Sequence, residues 1–291
     1  MRSQEDQVWY HVDVNSAYLS WTAAYRVCIL GEDLDLRDIP SVIGGSEAER
    51  HGIVLAKSGS AKRYGIRTGE TLAEARCKCP GLVIVPPDYS LYVGCSKALV
   101  ELLKKYFPHV HQYSIDEAFC RVEGTKGLWG THTAFAHQLK EEIRRELGFT
   151  VNIGVSDCKL LAKMASEFQK PDQVHTLFTR EIERKMWPLP VSDLFWVGPA
   201  TVRKLGALGI RTIGELAVMD LELLKRHLKK QGEFIWNYAN GRDVSPFLRE
   251  LPRNKGYGNS MTTPFDVTDR ETAWQVILSL TETVCARLRA D

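Results

Sequence analysis

Val8-Trp-Tyr-His-Val-Asp-Val-Asn-Ser-Ala-Tyr-Leu19 is a strand that turns into a helix. Val8, Tyr10, Val12 and Val14 alternate with the period of two of a strand. The alternation stops at Asn15 and Ser16, residue types favoured at helix N-caps. Ala17, Tyr18, Trp21, Ala24, Tyr25 and Cys28 then recur at helical spacing. Asp13 therefore stands where strand hands over to helix, among valines. A carboxylate there needs a cation, a hydrogen-bond cage or a raised pKa.

A second stretch poses the same problem. Tyr113-Ser-Ile-Asp-Glu-Ala-Phe119 reads as a short β-type run with two adjacent carboxylates, Asp116 and Glu117, between apolar neighbours. A hairpin end would leave both acids solvated. Two central strands side by side would instead bring Asp13 to Asp116 and Glu117, three carboxylates that repel one another unless divalent cations lie between them. Oxygen-only ligands suit magnesium, and two such ions, on the attacking and leaving oxygens, serve nucleotidyl transfer. Strict alternation points Asp116 and Glu117 to opposite faces, so both reach one metal pair only at a bulge or strand end.

Composition sets the frame for this site. The chain has 291 residues, 44% hydrophobic and 25% charged, which predicts a soluble protein of two or more domains. No apolar run approaches the ~20 residues of a membrane span. The polar start Met1-Arg-Ser-Gln-Glu-Asp6 is unlike a signal peptide, so a cytoplasmic protein is expected. Seven cysteines without a pair of C-x-x-C knuckles read as reduced thiols. Net charge is only +2, yet residues 185–230 hold eight Lys/Arg against four Asp/Glu. That excess is local, as on a solvated helical face or a nucleic-acid grip.

Along the chain, residues 29–50 read as a loop-rich excursion and Gly52–Ala56 as a returning strand, followed by the basic turn Lys57–Gly65. Thr71–Cys79 reads as a helix and Leu82–Val85 as a buried-type strand. Tyr92–Tyr106 is an amphipathic helix. Phe135, Leu139, Ile143 and Leu147 mark another, ended by Gly148. Val151–Val155 is a strand, and Ser156 and Asp157 are expected to cap a helix running through Phe168. Lys159 in its first turn is disfavoured by the helix dipole, typically by about 0.3–1 kcal/mol. With the free backbone N–H groups, however, it would grip a phosphate. Beyond Trp187-Pro-Leu-Pro190 the pattern is all-helical, 241–256 is linker-like, and Tyr257–Val267 and Glu271–Leu288 read as one strand and one helix. The strand and helix cannot by themselves bury Trp274, Ile277, Leu280 and Val284.

Four motifs carry a resemblance. His11-Val-Asp-Val-Asn-Ser-Ala-Tyr18, Ser114-Ile-Asp-Glu-Ala118, Gly154-Val-Ser-Asp-Cys-Lys159 and Val197-Gly-Pro-Ala200 resemble, in order and spacing, the motifs of the Y family of translesion DNA polymerases, the bacterial polymerase IV type. The resemblance implies an α/β (α+β) fold with a ferredoxin-like palm (1–28 and 86–172), small fingers (29–85) and an all-helical thumb with a helix-hairpin-helix (173–240). A linker (241–256) and a mostly missing little finger (257–291) complete it. It implies a DNA-directed DNA polymerase in which Asp13, Asp116 and the Val14 carbonyl hold two Mg2+ ions, and Glu117 completes the site. Tyr18 would gate the sugar, and Lys62, Arg63 and Lys159 would take the triphosphate. Gly198, Ala200, Arg203 and Lys204 would meet DNA backbone. Primer–template DNA and a dNTP are the implied partners, with a sliding clamp reached through a C-terminal region and no membrane.

The chain departs from the family pattern at four places. Asn15 replaces a common Asp, Gly59 a Tyr that bonds the triphosphate, Lys62 an Arg, and Ala200 the hairpin's second Gly. These departures motivate an alternative, a catalytically weak DNA-binding or regulatory homologue. A nucleotidyl cyclase on a similar palm is a third reading, against which the helix-hairpin-helix window argues.

Overall fold

The structure, a computed structural model, describes residues 7–46, 52–123, 130–243 and 254–290. The polar start and part of the linker-like stretch lie outside the described residues. In chain order the elements are β1 (Gln7–Val14), α1 (Ala17–Cys28), β2 (Ser41–Gly44), β3 (Val54–Lys57), α2 (Gly59–Arg63), α3 (Leu72–Lys78) and β4 (Val83–Val85). They continue with α4 (Tyr89–Lys104), β5 (His109–Gln112), β6 (Glu117–Glu123), α5 (His132–Leu147), β7 (Val151–Ser156), α6 (Lys159–Glu167) and β8 (Val174–Thr176). Helices follow: α7 (Ile182–Lys185), α8 (Pro199–Ala207), α9 (Ile213–Val218), α10 (Leu221–Leu228), α11 (Lys230–Ala239) and α12 (Arg270–Ala290).

These elements form two compact units, one of residues 1–31 and 89–246, the other of 32–88 and 247–291. In the first, a five-stranded sheet has the order β5-β6-β1-β7-β8. β1 is central and antiparallel to both neighbours, so every residue from Val8 to Val14 is buried. Its two faces have different partners. Val8, Tyr10, Val12 and Val14 join a core with Trp21, Leu99, Leu103, Phe135 and Leu139 from α1, α4 and α5. His11 and Asp13 face the other way, where His11 bonds Ser166 of α6 and Asp13 bonds Lys170 just beyond it. A second core joins α6 to α7–α11 through Leu161, Met164, Leu205, Ile213 and Ile235.

α6 can lie this close because Gly154 of β7 has no side chain. A Cβ there would stand 1.9 Å from the Ala162 carbonyl oxygen and 2.6 Å from the Ser166 nitrogen.

The second unit holds a three-stranded sheet, β3-β2-β4, with a small core of Val42, Val54, Ala61, Ile66, Leu72 and Ala75. Thr71 and Glu74 form a capping box at the start of α3. α12 has no buried residue, and Trp274 and Ile277 are exposed on it. Among the described residues no helix is long and apolar enough to cross a membrane.

Six expectations need correction. The excursion 29–50 contains β2, the middle strand of the small sheet, too short to register as periodicity. β4 is an edge strand with Val83 exposed, because it pairs with β2 alone. Tyr113–Phe119 is a bend leading into β6 rather than one strand. Ser16, at the start of α1, is in the left-handed region (φ 50°) and its side chain makes no cap; Cys158 rather than Ser156 or Asp157 stands at the N-cap of α6. No strand forms over 257–267, where among the described residues no neighbouring strand pairs with the backbone.

Candidate active site

At the open end of β1 the backbone brings the acids together. Asp13 pairs with Glu117 across the β1–β6 ladder, so both side chains share the face towards α6. Asp116 lies one residue before β6, and its carbonyl accepts a hydrogen bond from the Val14 N–H at 3.1 Å. Asp116 therefore stands at the strand end, but its carboxylate is not among the acids that come together there, which are Asp13, Glu117 and Glu167. The half-buried Asp116 accepts a 2.6 Å hydrogen bond from the Ser114 hydroxyl.

A third acid joins Asp13 and Glu117, and it is Glu167 at the end of α6. Ligand oxygens of these three lie within 4.8 Å of one another. Two ammonium groups hold them: Lys170 donates to Asp13 at 2.6 Å and to Glu167 at 2.9 Å, and Lys163 donates to Glu117 at 2.6 Å. Burial raises the Asp13 pKa to about 7, opposed by the Lys170 charge. Burial acts to lower Lys170, but its acidic partners prevail and hold it above the ordinary lysine value.

His11 lies beneath this corner, fully buried. Ser166 Oγ donates to the Lys163 carbonyl, so it is placed to accept from His11 Nδ1 at 2.8 Å. That leaves Nε2, buried and without a hydrogen-bond partner among the described residues, 4.0 Å from Glu117 Oε2. Burial first, then the charges of Lys163, Lys170 and Lys159, depress the His11 pKa well below the usual imidazole value and keep the ring neutral. The crowded carboxylates of Asp13, Glu117 and Glu167 fit a hard divalent cation, which takes oxygen ligands; the neutral His11 ring is a packing neighbour of that group and not a ligand of such an ion.

Asn15 has its own set of bonds. Its amide donates to Asn152 Oδ1 at 3.1 Å, and its carbonyl oxygen accepts from the Thr150 hydroxyl and the Asp172 N–H. An aspartate would lack that donor, so this departure from the family pattern belongs to the folded framework.

Tyr18, in the first turn of α1, stacks on Tyr92 with centroids 4.4 Å apart and planes 5° apart. Its hydroxyl pKa is raised, first by burial, then by Tyr89 and the Asp116 carboxylate. Lys159 opens α6 with its ammonium 4.6 Å from the centre of the Phe119 ring. Burial lowers its pKa, and Asp243 acts in the opposite direction. Gly198, Pro199 and Ala200 are exposed at the start of α8, with Gly198 at the N-cap and no side chain capping it. Arg203 and Lys204 are exposed on the same helix. Lys62 and Arg63 are exposed on α2 of the second unit, and a Cβ on Gly59 would meet nothing within 4 Å.

Reading the sequence missed His11, Lys163, Glu167 and Lys170. One signal was available: Lys159, Lys163, Ser166 or Glu167, and Lys170 recur at helical spacing, a polar stripe in a largely buried helix.

Comparison with known proteins bears on the same residues. The impB/mucB/samB family matches residues 12–167, and its C-terminal domain matches 254–291. The chain is 50% identical to DNA polymerase IV of Clostridium acetobutylicum, over 97% of this chain and 71% of that one. It is 41% identical to DNA polymerase IV of Acetivibrio thermocellus, over 98% and 70%. Among solved structures it resembles a Y-family DNA polymerase chimera (TM-score 0.80, 21% identity, 98% of this chain and 80% of that one). DinB from Sulfolobus solfataricus matches with a TM-score of 0.72 at 22% identity, over 82% and 68%.

Proposed function

The chain belongs to the impB/mucB/samB family, the Y-family DNA polymerases, and on that premise we propose that it is a template-directed, translesion-type DNA polymerase whose reaction centres on Asp13, Asp116 and Glu117. The observation that carries the site is the pairing of Asp13 with Glu117 across β1 and β6, with Asp116 tied to the backbone of Val14.

The reaction joins the primer 3′-oxygen to the α-phosphorus of a dNTP and breaks the bond to the β-phosphate, releasing pyrophosphate. Two magnesium ions, when held by these residues, would supply positive charge that stabilises the charge developing in nucleotidyl transfer. Asp13, Asp116 and the Val14 carbonyl would hold these ions. Glu117 completes the site and takes up the 3′-hydroxyl proton at its carboxylate. Lys159 neutralises triphosphate charge, and Lys62 and Arg63 are the second unit's phosphate ligands. Tyr18 closes the space a ribose 2′-hydroxyl needs. Gly198 and Ala200 offer backbone N–H groups, and Arg203 and Lys204 offer cations, to DNA phosphates independently of sequence.

The regulatory alternative rests on Asn15 and Gly59. The structural role found for Asn15 removes half of its motive.

Asp116→Asn tests the proposal. It keeps the Ser114 bond and the backbone tie to Val14, so the fold should melt as the parent does. Magnesium-dependent primer extension should disappear, and extension near the parental rate would sink the site. A parent that binds primer–template but never extends it would favour the regulatory reading.

A further inference from the structure

Trp196 is held in a backbone conformation that few tryptophans adopt. Its φ is 71°, in the left-handed region, where the Cβ of an L-residue crowds the following carbonyl oxygen. The conformation is over-determined. The Trp196 carbonyl accepts a 3.1 Å hydrogen bond from Gln231 Nε2, and Phe234 meets the ring edge-on at 6.1 Å. Yet the strain does not bury the ring. Phe195 before it is partly buried and Val197 after it is buried, whereas Trp196 is 57% exposed. Strain of this kind collects at ligand-binding positions.

The surroundings indicate which ligand. Trp196 lines a cavity of about 250 Å³ with Phe195, Phe234, Lys159, Lys163 and one acid, Asp243. The Lys159 ammonium is 4.6 Å from the Phe119 ring centre, whereas Lys163, 5.0 Å from the Phe195 ring centre, is buried and bonded to Glu117. Exposed rings beside cations are a surface that nucleic-acid strands take, with the rings against the strand and the phosphates on the charges, and the cations available here are Lys159 and those of the next helix. Two residues on, Gly198 opens α8, with Arg203 and Lys204 exposed beyond it.

We infer that Trp196 is a DNA-contact residue whose ring lies against the deoxyribose face of the strand whose phosphates the Gly198–Ala200 hairpin takes. This rests on the reading of the hairpin as a DNA grip. The contact is sequence-independent and adds apolar surface where phosphate contacts alone would leave binding wholly salt-dependent.

The test uses the 291-residue chain and a primer–template duplex. Trp196→Gly relieves the left-handed strain, so the melting temperature should hold or rise, while affinity should fall about tenfold. The slope of log affinity against log salt should stay as in the parent, because no phosphate contact is removed. Trp196→Asn, which also tolerates this conformation, should behave alike, and Trp196→Phe should keep most of the affinity. A glycine variant that binds as tightly as the parent overturns the inference, and so does one that loses stability and binding together. Arg203→Ala with Lys204→Ala separates the two readings. If that pair leaves the salt slope unchanged, the hairpin reading has failed; if the slope falls but Trp196→Gly binds normally, the inference about Trp196 alone has failed.

Discussion

The end of β1 and the start of α8 lie in the same unit but are built from opposite materials. At the first, the working groups are side chains pressed between a sheet and a helix: Asp13 is 6% exposed, and Lys163, which holds Glu117, is also 6% exposed. At the second they are an exposed glycine N-cap and two cations on a solvated helix face. Chemistry at a reacting phosphorus needs fixed oxygens, so its ligands are locked by packing. A grip on any duplex sequence needs reach and charge, so its residues stay in solvent. The buried corner should therefore be brittle and the exposed one tolerant.

Glycine substitutions break that comparison most directly. Gly154→Ala drives a Cβ into the α6 backbone at 1.9 Å, and backbone cannot rotate away. We expect a loss of at least about 4 kcal/mol, read as a collapse of the melting temperature or failure to fold. Gly198→Ala adds a Cβ that meets nothing within 4 Å, so its cost should be that of a poorer N-cap, about 1 kcal/mol or less. Equal melting temperatures for the two variants would remove the distinction between the corners.

Tyr18 lies at the border between the two behaviours, partly buried yet beside Asp116. As a sugar gate, Tyr18→Ala should raise ribonucleotide over deoxyribonucleotide incorporation by roughly 10- to 200-fold, the range for a pocket that gains room for one small group. The stacked pair with Tyr92 would be lost, at about 0.5–1.5 kcal/mol beyond its buried area. Unchanged sugar choice with a loss of about 3–5 kcal/mol would make the ring a packing residue only.

How much of the site could be read from sequence follows the same division. Asp13 and Glu117 were legible because strand alternation and a single pairing place them, and both lie within local motifs. Glu167 was not. It approaches Asp13 only because α6 seats on Gly154, a tertiary fact that no local window contains. The fold was legible wherever elements were long: α1, α4, α5 and β7 stand close to their expected places. β2 was missed because four residues ending in glycine carry no period. The caps of α1 and α6 were misread because hydrogen bonds elsewhere take their polar groups: Asn15 to Asn152, Asp157 to Thr179.

Glu167→Gln sharpens the buried corner. The amide fills the same space but supplies no charge, so the magnesium concentration for half-maximal binding should rise about tenfold, measured by titrating the metal against tryptophan fluorescence. Lys170 keeps its 2.6 Å bond to Asp13, so the fold should hold. A magnesium midpoint equal to the parent's would confine Glu167 to pairing with Lys170.

The smallest effect belongs to the exposed corner. Arg203 and Lys204 sit one turn into α8, on the solvent side of a helix whose Leu205 is anchored in the core. Removing either leaves that anchor untouched, and surface changes of this kind stay within about 0.5 kcal/mol. Each cation that neutralises a DNA phosphate releases about 0.9 counterion, so each alanine variant should flatten the slope of log affinity against log salt by about 0.9, and the pair by about twice that. The loss should be largest at low salt and nearly vanish at high salt, because it is a charge effect between exposed groups. A sequence-reading contact would behave differently, changing affinity for one duplex and sparing another. If each variant weakens every duplex alike and flattens the slope by one contact, the hairpin binds phosphate. If the slope stays fixed, Arg203 and Lys204 only solvate their helix, and the local excess of Lys and Arg over 185–230 is not a DNA grip.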